Sequence, residues 1–321
     1  MMQIIHYSVM KNEVLTHLVP FQENGVVVDC TLGEGGHTEA FLETYPELTV
    51  VGVDRDEELL NRSRERLDRY GSRFLGVHAW FDDFLSSYPD DLPRPQGILM
   101  DLGISMYHFE ASNRGFSFLT EEALDMRLDV TQRLTAAEVV NTYDERRLAD
   151  IIYQYGEERY SRRIASAICR SRRAKPIGQA KELRDIIYSA VPAGYRRGKI
   201  HPATKTFQAL RIAVNSELSR LSRGIDAAVS LLSEHGRLAV ISFHSLEDRI
   251  VKHTFRKYAG KAPGDDPLLQ QYSDEPMLRL ITKKPLIPDN EEVRQNPASR
   301  SAKLRVAQKL QEPKEESYGT D

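Results

Sequence analysis

Residues 26–38, VVVDCTLGEGGHT, give the clearest indication of the fold. Its consecutive valines are typical of a buried strand in a parallel sheet, and a glycine-rich turn follows them directly. Glycines let a backbone turn sharply and approach a ligand closely, and the next helix presents free N–H groups at its start. The stretch therefore predicts a strand, a ligand-facing turn and a helix at the start of an α/β fold.

Outside this stretch, strands and helices alternate in two blocks that a helical region separates. Further strands are predicted at residues 48–54, 74–79, 97–102, 238–243, 278–287 and 302–307. Between residues 105 and 201 the pattern is helical only, with prolines between the segments. Alternating strands and helices favour right-handed βαβ units, so we predict one Rossmann-like, mostly parallel sheet that is split by a helical insertion.

The charge distribution follows the same division. The whole chain has a net charge of -3, but residues 146–223 contain 18 Lys and Arg against 6 Asp and Glu, a net of +12, which leaves -15 for the rest. This basic segment indicates a polyanion-binding module, with a solvated helical surface as the alternative. The predicted domains are a core at 1–104, an inserted basic substrate-recognition domain at 105–204, the second part of the core at 205–310 and a disordered tail at 311–321.

The composition excludes several classes of protein. Hydrophobic residues make up 40% of the 321 residues, which is enough for a core and excludes global disorder. There is no apolar run of about 20 residues and no leader pattern, so we expect a cytoplasmic protein without a membrane span. The two cysteines, without a CxxC or HExxH pair, indicate reduced thiols and no metal site.

The glycine turn and the next strand together indicate a nucleoside-like cofactor. Asp54 ends the second strand, where a carboxylate can accept hydrogen bonds from both ribose hydroxyls. The G-x-G-G spacing departs from the G-x-G-x-x-G of dinucleotide sites, and Glu34 in the turn would repel a pyrophosphate. Asp29, four residues before the first glycine, suits a cationic ligand. Electrostatics therefore favours S-adenosyl-L-methionine, with its ammonium and sulfonium, over NAD.

Three further residues at predicted strand ends are candidates for catalysis or cofactor binding. Asp101 ends the fourth strand and could accept a hydrogen bond from an attacking amine or from the cofactor, with a turn cap as the alternative. Phe81 follows the third strand and could cover an adenine ring or belong to the core. His244 follows the strand at 238–243 and is a candidate proton acceptor, although a lone histidine is more often structural.

A basic segment with interleaved aromatic residues, at 195–211, favours RNA binding. Lysines and arginines can contact phosphates, while tyrosine, histidine and phenylalanine can stack on bases. The alternative is a basic turn followed by the start of a helix. The candidate RNA-binding residues are Arg196, Arg197, Lys199, His201, Lys205 and Arg211.

Distinctive segments are spread along the whole chain. They are GEGGHT (33–38), NRGFSF (113–118), LDMRLD (124–129), TAAEVVNT (135–142), YGEERY (155–160), HPATKTFQALRIAVN (201–215) and ISFHSLEDRIVK (241–252). With these segments the sequence closely resembles the bacterial 16S rRNA (cytosine-N4)-methyltransferase family, from HYSVMKNEVL at 6–15 to RSAKLR at 300–305.

The resemblance implies a class I S-adenosylmethionine-dependent methyltransferase fold with an inserted helical domain. It also implies methyl transfer to N4 of a cytosine in 16S rRNA, at the decoding centre of the small ribosomal subunit. The family usually continues the DLGxS stretch with serine, proline and glutamine, whereas this chain has Met106, Tyr107 and His108. By matching positions, the cofactor would be held by Gly35, Gly36, His37, Asp54, Phe81, Asp101 and His108.

Two functions from other classes stay open at this point. One is a non-catalytic rRNA-binding assembly factor on a methyltransferase fold, although the intact glycine turn, Asp54 and Asp101 argue against it. The other is a nicotinamide-dependent oxidoreductase. The expected partner is the 16S rRNA of the small ribosomal subunit, and a homodimer is considered as well.

Overall fold

The strands of the described residues form one β-sheet. The structure, a computed structural model, describes residues 8–19, 24–260 and 275–311. Its strands are β1 (Val26–Asp29), β2 (Thr49–Asp54), β3 (Phe74–His78), β4 (Gly97–Asp101), β5 (Arg237–Ser242), β6 (Leu278–Leu280) and β7 (Lys303–Lys309). Over the described residues they form a seven-stranded sheet in the order β3-β2-β1-β4-β5-β7-β6, in which β7 runs antiparallel to both β5 and β6 and the other neighbouring pairs are parallel. The predicted fold class is confirmed.

The chain divides into two compact units. Unit 1 comprises Met1–Gly103 and Ser219–Asp321 and carries the sheet, whereas unit 2 comprises Ile104–Leu218 and is helical. The helices are α1 (Lys11–His17), α2 (Gly36–Thr44), α3 (Glu57–Leu67), α4 (Phe81–Ser86), α5 (Met106–Glu110), α6 (Ala136–Thr142), α7 (Glu145–Gly156), α8 (Ser161–Ser171), α9 (Ala180–Ala190), α10 (Ala193–Arg196), α11 (Ala203–Asn215), α12 (Glu217–Leu231), α13 (Ser245–Tyr258) and α14 (Asn290–Gln295). None of the helices in the described part of the chain is both long and apolar enough to cross a bilayer.

Strand β1 lies inside the sheet of unit 1 and is buried along its whole length. It pairs in parallel with β2 on one side and with β4 on the other. Strand order therefore reverses at β1, and in doubly wound sheets ligands bind in the crevice outside the carboxyl ends of the strands at such a point. Asp29, Asp54 and Asp101 are the last residues of β1, β2 and β4. The sheet thus brings three acidic residues to one ligand-binding edge.

Unit 2 is held together by close helix packing and by one buried amide. Helices α7 and α11 approach so closely that a Cβ atom at Gly156 would lie 2.5 Å from the carbonyl oxygen of Lys205. The side chain of Asn215 accepts a hydrogen bond from the N–H of Leu128 at 2.9 Å and donates one to the carbonyl oxygen of Met126 at 2.8 Å. These bonds fasten the loop before α6 to the end of α11.

The second domain boundary differs from the one predicted at residue 204. Helix α11 packs against α7 within unit 2, so this unit continues to Leu218. The apolar pattern of α11 predicts a helix with a buried face. It does not show whether that face packs in unit 1 or in unit 2, so the sequence did not indicate this boundary. The predicted tail lies outside the described residues from position 312 onwards.

Candidate active site

The glycine turn between β1 and α2 is fixed by the carboxylate of Asp54. This side chain is buried, and its oxygens accept hydrogen bonds from the N–H of Gly33 at 2.7 Å and the N–H of Asp56 at 2.9 Å. Gly33 and Gly35 have φ angles of 53° and 78°, a left-handed conformation that favours glycine, and Gly36 then begins α2. Each oxygen of Asp54 keeps acceptor capacity for a ligand hydroxyl.

The turn leaves open space and offers negative charge. A Cβ atom at Gly33 would meet nothing closer than the carbonyl oxygen of Thr31 at 3.9 Å. Asp29 accepts hydrogen bonds from the Thr31 N–H and the Thr38 hydroxyl, and burial raises the pKa of its carboxyl group. The sequence from 29 to 38 contains no lysine or arginine. These residues fit a cationic sulfonium cofactor and offer no counter-charge to a pyrophosphate.

Two residues that the sequence indicated separately, His37 and Asp101, lie together. His37 Nε2 is 3.5 Å from Asp101 Oδ2, while Asp101 Oδ1 accepts a hydrogen bond from the N–H of Gly103 at 3.3 Å. His37 is only 7% exposed, yet its Nε2 makes no hydrogen bond. A buried polar atom without a partner requires an explanation, and the Asp101 side chain beside it is 18% exposed. The pair therefore marks a place where ligand atoms can complete the hydrogen bonding.

Phe81 and His108 are more deeply built into the protein. Phe81 is 8% exposed, and a Cβ atom at Gly224 of α12 would lie 2.3 Å from its ring, so the ring packs in the core of unit 1. This is the alternative considered for Phe81, and its contact with adenine stays a prediction. His108 belongs to unit 2, is 1% exposed and contacts the Phe116 ring edge-on at 5.1 Å between ring centres. Its contact with the cofactor also stays a prediction.

His244 caps the N-terminus of α13. Its Nδ1 accepts a hydrogen bond from the N–H of Glu247 at 3.4 Å, and the Glu247 carboxylate accepts one from the His244 N–H at 3.2 Å. Its Nε2 lies 3.1 Å from the same carboxylate but is buried without a hydrogen bond. This is a capping box in which histidine takes the place of the usual hydroxyl residue. The structure gives His244 the structural role considered as its alternative, and proton acceptance stays a prediction.

Three of the predicted RNA-binding side chains already have partners inside unit 2. Arg211 forms a bidentate ion pair with Glu217 at 2.9 and 2.8 Å. Arg196 donates hydrogen bonds to two backbone carbonyl oxygens at the end of α9. Lys205 donates to the carbonyl oxygen of Glu157 at 2.9 Å. These bonds hold the helices of unit 2 together, so phosphate binding by these residues would compete with them.

The other three predicted RNA-binding residues are placed differently. Arg197 and Lys199 are exposed, and they can contact an external anion. His201 stacks on Phe118, with ring centres 4.8 Å apart, and on Tyr188, with ring centres 6.0 Å apart. Its Nδ1 also accepts the N–H of Ala203 at 3.1 Å. His201 is therefore an aromatic packing residue.

We expect His201 to be neutral at pH 7. Burial lowers the pKa of its imidazole below the usual 6.5, and the charge of Arg184 lowers this pKa as well. The unfolded chain then binds the proton more tightly than the folded chain. The contribution of His201 to stability is therefore present above pH 6.5 and is lost as the pH falls below that value.

An NMR titration of the His201 ring in the folded protein measures this pKa directly. His201→Phe keeps the aromatic stacking and removes the titration, so its Tm should fall less below pH 6.5 than that of the wild type. A measured pKa at or above 6.5 would contradict the expectation.

Two features of the structure were not singled out from the sequence. The hydroxyl of Thr31 accepts a hydrogen bond from the N–H of Asp101 at 2.7 Å and so fixes the end of β4. Its position just after a buried strand was the available signal. The second feature is a row of exposed arginines on α8. The charge count includes these arginines but does not show that they lie on one face of the helix.

The chain is similar to known proteins along nearly its whole length. The sequence model of the MraW methylase family matches residues 3–310. The chain is 53% identical over 312 residues to ribosomal RNA small subunit methyltransferase H of Treponema denticola, covering 96% of this chain and 98% of that protein. It is 45% identical over 306 residues to the protein of the same name from Sulfurihydrogenibium azorense, covering 95% and 99%. A solved rRNA methylase structure from Streptococcus thermophilus is similar at a TM-score of 0.41 and 12% identity, covering 94% of each chain.

The predicted cofactor is confirmed as S-adenosyl-L-methionine, which agrees with the acidic glycine turn. A methylase family leaves the nicotinamide-dependent alternative without support. The family match covers nearly the whole chain, and the relatives are similar along their full length. The chain therefore belongs to the MraW methylase family.

Proposed function

We propose that this chain transfers a methyl group from S-adenosyl-L-methionine to N4 of a specific cytosine in 16S rRNA, at the decoding centre of the small ribosomal subunit. The family, and relatives named as small-subunit rRNA methyltransferases, support the reaction class and the substrate. The observation that carries the proposal is the partly exposed Asp101 carboxylate at the carboxyl end of β4, 3.5 Å from His37 Nε2. A hydrogen-bond acceptor at this edge is what an amino group needs before it can attack.

The cofactor-binding residues lie around the glycine turn. S-adenosyl-L-methionine supplies, when bound, a methyl group made electrophilic by the sulfonium. Asp54 accepts hydrogen bonds from ribose hydroxyls, and the carboxylates of the turn offset the positive charge. The residues that would hold the cofactor are those matched above: Gly35, Gly36, His37, Asp54, Phe81, Asp101 and His108.

Asp101 prepares the amino group for attack. The lone pair of cytosine N4 is delocalised into the ring, so the amine is a poor nucleophile. A carboxylate oxygen that accepts an N4 hydrogen favours the pyramidal nitrogen, whose lone pair is available. The nitrogen becomes cationic as the C–N bond forms, while the bond from the methyl carbon to sulfur breaks and a neutral thioether leaves. The negative charge of Asp101 therefore stabilises the transition state more than the ground state.

No strong base is required after this step, because the methylated, cationic amine loses a proton readily to water. The base itself must be unpaired or flipped out of a helix, since N4 lies on the pairing edge of cytosine. His244 remains a secondary candidate for proton acceptance, because its Nδ1 caps α13 while its Nε2 is buried without a hydrogen bond.

Mass spectrometry of rRNA nucleosides tests the proposal. In a strain without this gene, we expect one N4-methyl group on a cytosine of 16S rRNA to be lost. The wild-type gene should restore it, and the Asp101→Asn gene should not. An unchanged set of methylated cytosines in the deletion strain would refute the proposed reaction. If the Asp101→Asn gene restored subunit assembly in the deletion strain, and methylation were the same with and without the gene, the assembly-factor alternative would be favoured.

A further inference from the structure

Helix α8 of unit 2 presents a continuous, positively charged face. Arg162, Arg163 and Arg170 are exposed, whereas Ile164 and Ile168 are fully buried. At 3.6 residues per turn, the three arginines fall within an arc of about 100° on the side away from the buried residues. From the first to the last they extend over about 12 Å of rigid helix.

The segment that carries this face has no opposite charge of its own. Residues 159–175 contain seven lysines and arginines and no aspartate or glutamate. Arg162 and Arg163 make no ion pair with any residue in the described part of the chain. Arg173 and Lys175 are exposed just beyond the end of α8. The face therefore holds a local excess of positive charge that nothing in its own segment neutralises.

The groove beside this face helps to define where an anion would lie. It has a volume of about 730 Å³ and runs between α8 and α9. Arg170 is on its α8 wall, whereas the α9 wall contributes Glu182 and Asp185 beside Lys181. A polyanion would be repelled by the carboxylates of α9 and attracted by the arginines of α8.

The internal bonds of the predicted RNA-binding segment strengthen the case for α8. Arg211 is paired with Glu217, and Arg196 and Lys205 are bonded to backbone carbonyl oxygens. A phosphate that bound these three side chains would have to break contacts within unit 2. A phosphate on α8 would break none at Arg162 or Arg163.

We propose that the exposed face of α8, formed by Arg162, Arg163 and Arg170, binds the phosphate backbone of the RNA substrate. The proposal rests on the proposed function, because small-subunit rRNA is the occupant. Guanidinium groups bind phosphate oxygens in bidentate fashion, and a helix presents them at fixed spacing. Such contacts set affinity and orientation and do not select the target base.

The test reverses the three charges in the full-length protein, as Arg162→Glu, Arg163→Glu and Arg170→Glu together. Binding to 16S rRNA transcribed in vitro is measured across a salt titration. We expect affinity at low salt to fall by on the order of 100-fold. The slope of log K against log salt concentration should decrease by about 2 to 3, and the difference from wild type should shrink at high salt.

Two control proteins separate this effect from others. Lys283→Glu, Lys284→Glu and Arg300→Glu together reverse the same number of exposed charges on unit 1 and should leave rRNA affinity unchanged. A second variant with glutamine at the three α8 positions removes the charges and keeps polar side chains. It is used if the glutamate variant does not fold. In either α8 variant we expect unchanged S-adenosyl-L-methionine affinity, a raised KM for rRNA and an unchanged kcat at saturating rRNA.

The outcomes distinguish this inference from the proposed function. If the wild type methylates 16S rRNA but both α8 variants bind it as tightly as wild type, the α8 proposal is overturned and the proposed function stands. The α8 proposal is also overturned if the unit 1 control loses as much affinity as the α8 variant. The same holds if the wild type binds anionic lipid vesicles in preference to rRNA. A wild type that binds rRNA through α8 but methylates none of it overturns the proposed function alone.

Discussion

Asp101→Asn is expected to lower the rate of methyl transfer by about 100- to 1000-fold while the protein stays folded. The substitution keeps the size of the side chain and removes the negative charge that stabilises the developing cation on N4. The amide oxygen can still accept the N–H of Gly103, now bonded to Oδ1 at 3.3 Å, so the end of β4 should keep its shape. The measurement is the single-turnover rate at saturating cofactor and rRNA.

A matched control for this prediction is Asp90→Asn, which neutralises an exposed carboxylate of the same unit and should react at the wild-type rate. A double-mutant cycle with His37→Asn then tests whether His37 and Asp101 act as a unit, since groups in one network show non-additive effects. A near-normal rate for Asp101→Asn, in protein with the wild-type Tm, would remove Asp101 from the mechanism.

Asp54→Ala is expected to weaken S-adenosyl-L-methionine binding by on the order of 100-fold and to destabilise unit 1 by about 2 kcal/mol or more. The substitution leaves the N–H groups of Gly33 and Asp56 without their acceptor in a buried place. It also removes the acceptor for the ribose hydroxyls. Calorimetric titration gives the cofactor Kd, and thermal unfolding gives the loss of stability.

Ser63→Ala is the matched control for Asp54→Ala. The Ser63 hydroxyl donates to the carbonyl oxygen of Gly33 at 2.6 Å, so its removal loosens the same turn and leaves the carboxylate in place. We expect the Kd to rise much less for Ser63→Ala than for Asp54→Ala. Equal effects would mean that Asp54 acts only by shaping the turn, and the ribose contact would then be wrong.

The sheet could be predicted from the sequence because its signals are local. The valines of β1 and the glycines that follow it indicate a buried strand and a turn without reference to the rest of the chain. The pairing of His37 with Asp101 could not be predicted in the same way, since it depends on β1 and β4 being neighbours. Sequence reasoning placed both residues at the ligand-binding edge but not next to each other.

The roles of the basic side chains were harder to predict, because a charge count does not show which charges are already paired. Arg211 meets Glu217 only because the chain turns at Ser216, which has a left-handed φ of 52°. His244 is a similar case, because its capping bond to Glu247 depends on where α13 begins. Exposure, which decides whether Arg162 or Arg211 can meet an external phosphate, appears only in the folded unit.

The pairing of β4 with β5 has a consequence for the order in which the protein folds during synthesis. Asp101 lies in register with Ile241, and all of unit 2 separates them along the chain. Bringing β4 and β5 together closes a long loop, which costs conformational entropy before the two strands make any contact. Helices, in contrast, form quickly from local contacts. β7, which borders β5, ends only at Lys309. We therefore expect the helical unit to fold ahead of the edge that holds Asp101, and the site to form only after the chain up to Lys309 has been synthesised.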